Sequence, residues 1–81
     1  MSVEHWKEEN NKLSRSFTFN DFVEAFGFLT KVAILAEKQN HHPEIFNVYN
    51  QVTIKLNTHD AGNIVTEKDY KLASAINQLI I

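Results

Sequence analysis

At 81 residues, with a formal net charge of −2 and no cysteine, the chain has the length of one domain, and its composition excludes disulfides and thiolate metal sites and offers no basic face for nucleic acid. Hydrophobic residues make up 43% of it, with six Phe, two Tyr and one Trp against two Gly and one Pro, which is the composition of a packed globular domain. No apolar run is long enough to span a bilayer and the N-terminus carries no signal-peptide pattern, so a cytoplasmic protein without membrane contact is expected.

Residues 3 to 10 form a weak strand candidate around Trp6, closed by a turn at Glu9-Asn10-Asn11. From Leu13 the alternation is clear: Leu13, Arg15, Phe17 and Phe19 share one face and Ser14, Ser16 and Thr18 the other, the pattern of a half-buried strand. Asn20 is placed to cap a helix with Asp21 at its positive end. In that helix Phe22, Ala25, Phe26, Leu29, Val32, Ala33 and Ala36 follow three-and-four spacing as the core stripe, leaving Phe28 and Leu35 outside it.

The helix ends near Asn40, because Pro43 has no backbone donor and biases His42 toward extended geometry. Beyond it Phe46, Val48, Val52, Ile54 and Leu56 share a parity. One long strand satisfies that parity, as does a hairpin with an odd-numbered loop; a two-residue turn would put Val48 and Val52 on opposite faces. After the loop Ala61-Gly62-Asn63, Thr66 caps a second helix with Asp69 three residues on, a capping-box arrangement, and Leu72, Ala73, Ile76, Leu79 and Ile80 form its apolar stripe. The expectation is a single α+β domain over residues 1–81, an antiparallel sheet of three to four strands with two helices on one face in ββαββα order. Its small size and unprotected strand edges favour self-association.

Chemistry concentrates between Glu37 and His59. Three of the four histidines lie there, His41, His42 and His59, and an imidazole with an ordinary pKa of ~6.5 both donates and accepts protons near neutrality. The first two close a helix and the third follows a strand, so two element ends can converge on one pocket.

The order Glu37, His41-His42-Pro43, Tyr49, His59, Asp69, with the stretches FTFNDFVEAFGFLTKVAILAEKQNHHPEIFNVYNQVTIKLNTHDAG and TEKDYKLASAINQL, resembles the pterin-4a-carbinolamine dehydratases, known in animals also as dimerisation cofactors of a homeodomain transcription factor. The resemblance implies a lyase that removes water from 4a-hydroxytetrahydropterin to give quinonoid dihydropterin in tetrahydropterin recycling. No metal or organic cofactor is implied, the pterin being the substrate. It also implies a homodimer or homotetramer and a functional link to an aromatic amino acid hydroxylase. Carried over position by position, His41 and His59 are the acid/base pair on opposite sides of the flat ring, with Glu37 orienting His41. His42 binds the ring, Pro43 shapes the pocket, and Thr58, Asp60 and Ala61 offer hydrogen bonds. Asp69 adds a site role to its capping one. Two positions depart from the family pattern: Asn40 stands where Asp is usual and Ile45 where Trp is usual.

Two other readings attach to the same residues. One is a non-catalytic dimerisation or scaffold module of the same fold. The other is a zinc site, against which stand the adjacent histidines and the long gap to His59, unlike common ligand spacing.

Overall fold

The computed structural model describes residues 3–80; residues 1, 2 and 81 of the expected domain lie outside the described range. The elements run β1 (Lys7–Glu9), β2 (Lys12–Thr18), α1 (Phe22–Gln39), β3 (Glu44–Val48), β4 (Gln51–Leu56), a 3-10 turn (His59–Ala61) and α2 (Glu67–Gln78). The four strands make one antiparallel sheet in the order β1-β2-β4-β3, with both helices against one face, as the order of elements implied. No helix among the described residues is long and apolar enough to cross a membrane.

The core lies between sheet and helices. Leu13 and Phe17 of β2 and Val52, Ile54 and Leu56 of β4 meet Ala25, Leu29 and Val32 of α1 and Leu72, Ala73 and Ile76 of α2, all buried. At roughly 1.5–3 kcal/mol for each large aliphatic or aromatic side chain removed from water, this contact holds the helices on the sheet. The opposite face is polar at its centre, where Ser16 and Thr53 share a 3.0 Å hydrogen bond, and apolar toward the β3 edge.

Four local expectations need correction. The first strand is shorter than residues 3 to 10: His5 sits at φ 71°, a left-handed turn that sends Trp6 into the core before pairing begins at Lys7. The N-cap of α1 is Asp21, whose carboxylate accepts from the Glu24 amide at 2.8 Å, rather than Asn20. The helix is also rotated by roughly 50° from the expected stripe at 100° per residue. Phe28 and Leu35 turn inward, while Phe22, Phe26 and Ala33 are exposed. Phe28 decides this by packing on Phe17 and Phe19, with ring centroids 4.8 and 5.0 Å away, a partner choice that helical periodicity alone does not contain.

The fourth correction concerns residues 46–58, which hold the ends of a hairpin with a two-residue turn, Tyr49-Asn50. Val48 pairs with Gln51 and Asn47 with Val52, so Val48 is 73% exposed while Val52 is 1% exposed. Tyr49 adopts φ 50°, unusual for an aromatic residue. Asn50 pins the turn to the end of β2 through two bonds, its amide to the Phe19 carbonyl at 2.9 Å and its own carbonyl from the Phe19 N–H at 2.8 Å.

Candidate active site

The site begins at the end of α1. Asn40 takes the left-handed conformation (φ 52°, ψ 44°), its N–H caps Ala36 and Glu37, and the His41 N–H reaches the Ala36 carbonyl at 3.0 Å. These are the paired bonds of a Schellman turn, and asparagine is the residue other than glycine that best tolerates its αL position. The turn carries His41 toward α2, and Pro43 starts the extended run into β3.

His41 there meets Asp69. Its Nε2 lies 2.5 Å from Asp69 Oδ1, and Asp69, 0% exposed, also accepts at Oδ2 from the Thr58 hydroxyl and the Thr66 N–H, both at 2.8 Å. A buried carboxylate needs this many donors to remain in place as an anion. An ionised carboxylate only accepts, so His41 Nε2 carries the proton and Nδ1 of the neutral ring is left with its lone pair. The capping box that starts α2, with Thr66 and Asp69 each bonded to the other's end of the turn, thereby also holds in place the carboxylate that faces a histidine from α1.

A cleft of about 190 Å³ is lined by Asn40, His41, His42, Asn57, Thr58, His59, Asp60 and Lys68. At less than the roughly 300–1,000 Å³ of drug-sized pockets, it suits a small ligand. His59 and Asp60 are exposed on the 3-10 turn, which ends at Gly62 with φ 94° and its N–H on the His59 carbonyl. No hydrogen bond among the described residues engages the His59 ring, so both of its nitrogens are available.

Five of the residues expected from sequence therefore share one cavity: His41, His42, Thr58, His59 and Asp60. Asp69 lies directly behind His41. Pro43 is half-buried at the start of β3, outside the lining, and Ala61 lines an adjoining concavity with Thr58, Asp60, Thr66, Glu67 and Lys68. Glu37 does not orient His41. Its Oε1 lies 2.6 Å from His42 Nε2, because the Schellman turn swings His41 across to α2 and leaves His42 on the exposed side of α1. That pair is largely exposed and contributes little to stability.

Asn57 and Lys68 also line the cleft, although neither carries a distinctive signal in the sequence. Lys68 reads as a solvated first-turn lysine of α2, and only the proximity of the 3-10 turn makes it a wall. Asn57 sits where β4 has ended and the chain turns, a signal no stronger than that of any loop asparagine.

A four-stranded antiparallel sheet carrying two helices on one face, with histidines from a helix exit and a strand end in one cleft, defines a small α+β protein of the pterin dehydratase fold. A crystal structure of a transcriptional coactivator/pterin dehydratase from Brucella melitensis superimposes with a TM-score of 0.89 at 44% identity, covering 95% of this chain and 83% of that one. The chain belongs to the pterin 4 alpha carbinolamine dehydratase family, whose sequence pattern matches residues 1–79. Relatives provisionally named pterin-4-alpha-carbinolamine dehydratase include one from Prochlorococcus marinus, 51% identical over 96% of this chain and 80% of its own length. Another, from Solibacter usitatus, is 55% identical over 91% and 77%. A pterin dehydratase-like protein described as a RuBisCO assembly factor in the alpha-carboxysome shares the fold at TM-score 0.78 and 25% identity, over 94% of this chain and 89% of its own.

Proposed function

We propose that the chain is a hydro-lyase that dehydrates 4a-hydroxytetrahydropterin to quinonoid dihydropterin in tetrahydropterin recycling, with histidines as acid and base and with no metal or organic cofactor. The observation that carries this reading is the 2.5 Å contact between His41 Nε2 and the buried Asp69 carboxylate, in a cleft that His59 and His42 also line.

Dehydration breaks the bond from ring carbon 4a to its hydroxyl. The leaving oxygen takes up a proton, and the adjacent ring nitrogen loses one as its electron pair forms the new C=N bond. Nδ1 of His41 takes the nitrogen's proton, and the imidazolium that results is stabilised by the buried Asp69 carboxylate. His59, in its protonated form, delivers a proton to the hydroxyl, which departs as water; one proton is taken and one given. His42, tethered by Glu37, binds the ring, while Asp60 and the backbone at Ala61 bond its polar edge and Pro43 holds the approach of β3.

The same reading includes a homodimer or homotetramer, a cytoplasmic location and an upstream aromatic amino acid hydroxylase that generates the carbinolamine. Self-association is supported by the unpaired backbone edge of β3, by exposed Phe46 and Val48 beside it, and by exposed Phe22, Phe26 and Ile34 on the outer side of α1. A second reading, a non-catalytic assembly module, draws support from the same exposed surfaces and from the neighbour described as an assembly factor.

A stopped-flow assay with synthetic carbinolamine separates the two. The dehydratase reading expects acceleration over the spontaneous reaction that is unchanged by EDTA. No acceleration refutes it, and acceleration abolished by EDTA and restored by zinc refutes its metal-free form.

A further inference from the structure

The hydrogen bonds behind His41 form a chain whose direction can be read donor by donor. Asp69 can only accept, so the one hydroxyl proton of Thr58 is committed to Asp69 Oδ2 at 2.8 Å. Thr58 Oγ1 also lies 2.6 Å from Thr66 Oγ1, and with its own proton used, Thr58 must accept there from the Thr66 hydroxyl. Thr66 Oγ1 in turn accepts from the Lys68 N–H at 3.3 Å. The order is therefore Lys68 N–H to Thr66, Thr66 to Thr58, Thr58 to Asp69, with His41 Nε2–H arriving at the other carboxylate oxygen.

Thr58 has no donor left for a ligand. It is 6% exposed, its N–H is bonded to the Ile64 carbonyl at 2.8 Å, and its carbonyl accepts from Asn63 at 3.0 Å and Ala61 at 3.3 Å. Nor does capping explain its bond to Asp69. The cap of α2 is complete with Thr66 and Asp69 alone, whereas Thr58 reaches the carboxylate from eleven residues away. What the extra donor adds is orientation: with the Thr66 N–H alone on Oδ2 the carboxylate can swing about its own axis, and a second donor fixes its plane so that Oδ1 stays aimed at the imidazole.

We propose that Thr58, backed by Thr66, is a positioning residue that acts through Asp69 to hold His41 as the Nε2–H tautomer and so keeps a proton-accepting Nδ1 available in the cleft. The consequence for rate rests on the dehydratase reading; the consequence for the imidazole does not.

The test uses the full chain with ¹⁵N-labelled histidine. In Thr58→Val, which keeps shape and removes the hydroxyl, the ratio of the Nδ1–H to the Nε2–H tautomer of neutral His41 rises roughly tenfold, the scale of one lost hydrogen bond to a charged group, and kcat for carbinolamine dehydration falls in proportion to the Nε2–H fraction lost, with KM within about twofold. Thr58→Ser restores both, and Thr58→Ala carries the same expectation should the valine variant not fold. An unchanged tautomer ratio in the valine or alanine variant, or a serine variant that behaves like valine, overturns the proposal. Should the parent protein show no dehydration, the dehydratase reading falls, and the tautomer ratio still decides this one.

Discussion

Asp69→Asn is the substitution in which the structure dictates most of the outcome. The carboxylate has three donors aimed at it, His41 Nε2, the Thr58 hydroxyl and the Thr66 N–H. An amide has one acceptor and one donor end. The Thr66 N–H is backbone and cannot become an acceptor, so the amide oxygen must stay beside it and the NH₂ must face His41 Nε2. A neutral imidazole can receive that donor only by moving its own proton to Nδ1, which reverses the tautomer and removes the base from the cleft. Three charge-assisted bonds lose about 1 kcal/mol each, offset in part because a neutral amide costs less to bury than a carboxylate. A net loss of about 1–2 kcal/mol lowers Tm by roughly 4–15 °C for a domain of this size, so the variant stays folded. Loss of a general base costs a factor of about 10²–10⁴ in rate. Thermal unfolding, histidine ¹⁵N shifts and single-turnover dehydration measured on one sample check all three quantities. A folded variant whose His41 keeps its proton on Nε2, or one that dehydrates the carbinolamine within about threefold of the parent, refutes the reasoning.

Other parts of the fold give independent tests. Because Asn40 is left-handed at the Schellman turn, Asn40→Ala destabilises by about 1–2 kcal/mol in urea unfolding while Asn40→Gly does so far less; equal losses would contradict the role given to that turn. The Tyr70 hydroxyl donates to Glu8 at 3.0 Å, and that bond, followed by burial and the Glu8 and Asp69 charges, pushes its pKa up. A raised folded pKa means that this contribution is present in full below the ordinary phenol value of about 10 and disappears as pH climbs through the folded value. Glu8→Gln therefore lowers the phenol midpoint seen by ultraviolet titration and weakens the alkaline fall in stability, and an unmoved midpoint would count against the bond. Val48→Lys on the exposed side of β3 shifts sedimentation toward smaller species with unchanged circular dichroism; an unaltered mass distribution places any self-association elsewhere.

Sequence reasoning reached furthest where local chemistry dictates geometry. The Thr66–Asp69 capping box, the Leu13-Phe17 alternation and the helix exit before Pro43 are all settled within a few residues, and they were legible for that reason. The rotation of α1 was not, because the helix carries more apolar residues than one face can bury and Phe28 is chosen by Phe17 and Phe19 from another element. The β3–β4 turn lacks the glycine or Asn-Gly that usually signals two residues; it is held instead by Asn50 against Phe19. Within the site, the histidine window was visible from composition and spacing, yet which carboxylate serves which histidine depended on the direction of one Schellman turn. Spacing along the helix could not distinguish Glu37–His42 from Glu37–His41, and the family resemblance supplied positions rather than contacts.

The central claim is that His41 and His59 exchange protons with one planar heterocycle in the cleft they share. Stopped-flow dehydration of synthetic 4a-hydroxytetrahydropterin by the parent, His41→Ala and His59→Ala tests it most directly. The parent rate is expected far above the spontaneous one, with each alanine variant lowering kcat by a factor of about 10²–10⁴ while remaining folded. Variants that retain the parent rate, or a parent no faster than buffer alone, would contradict it.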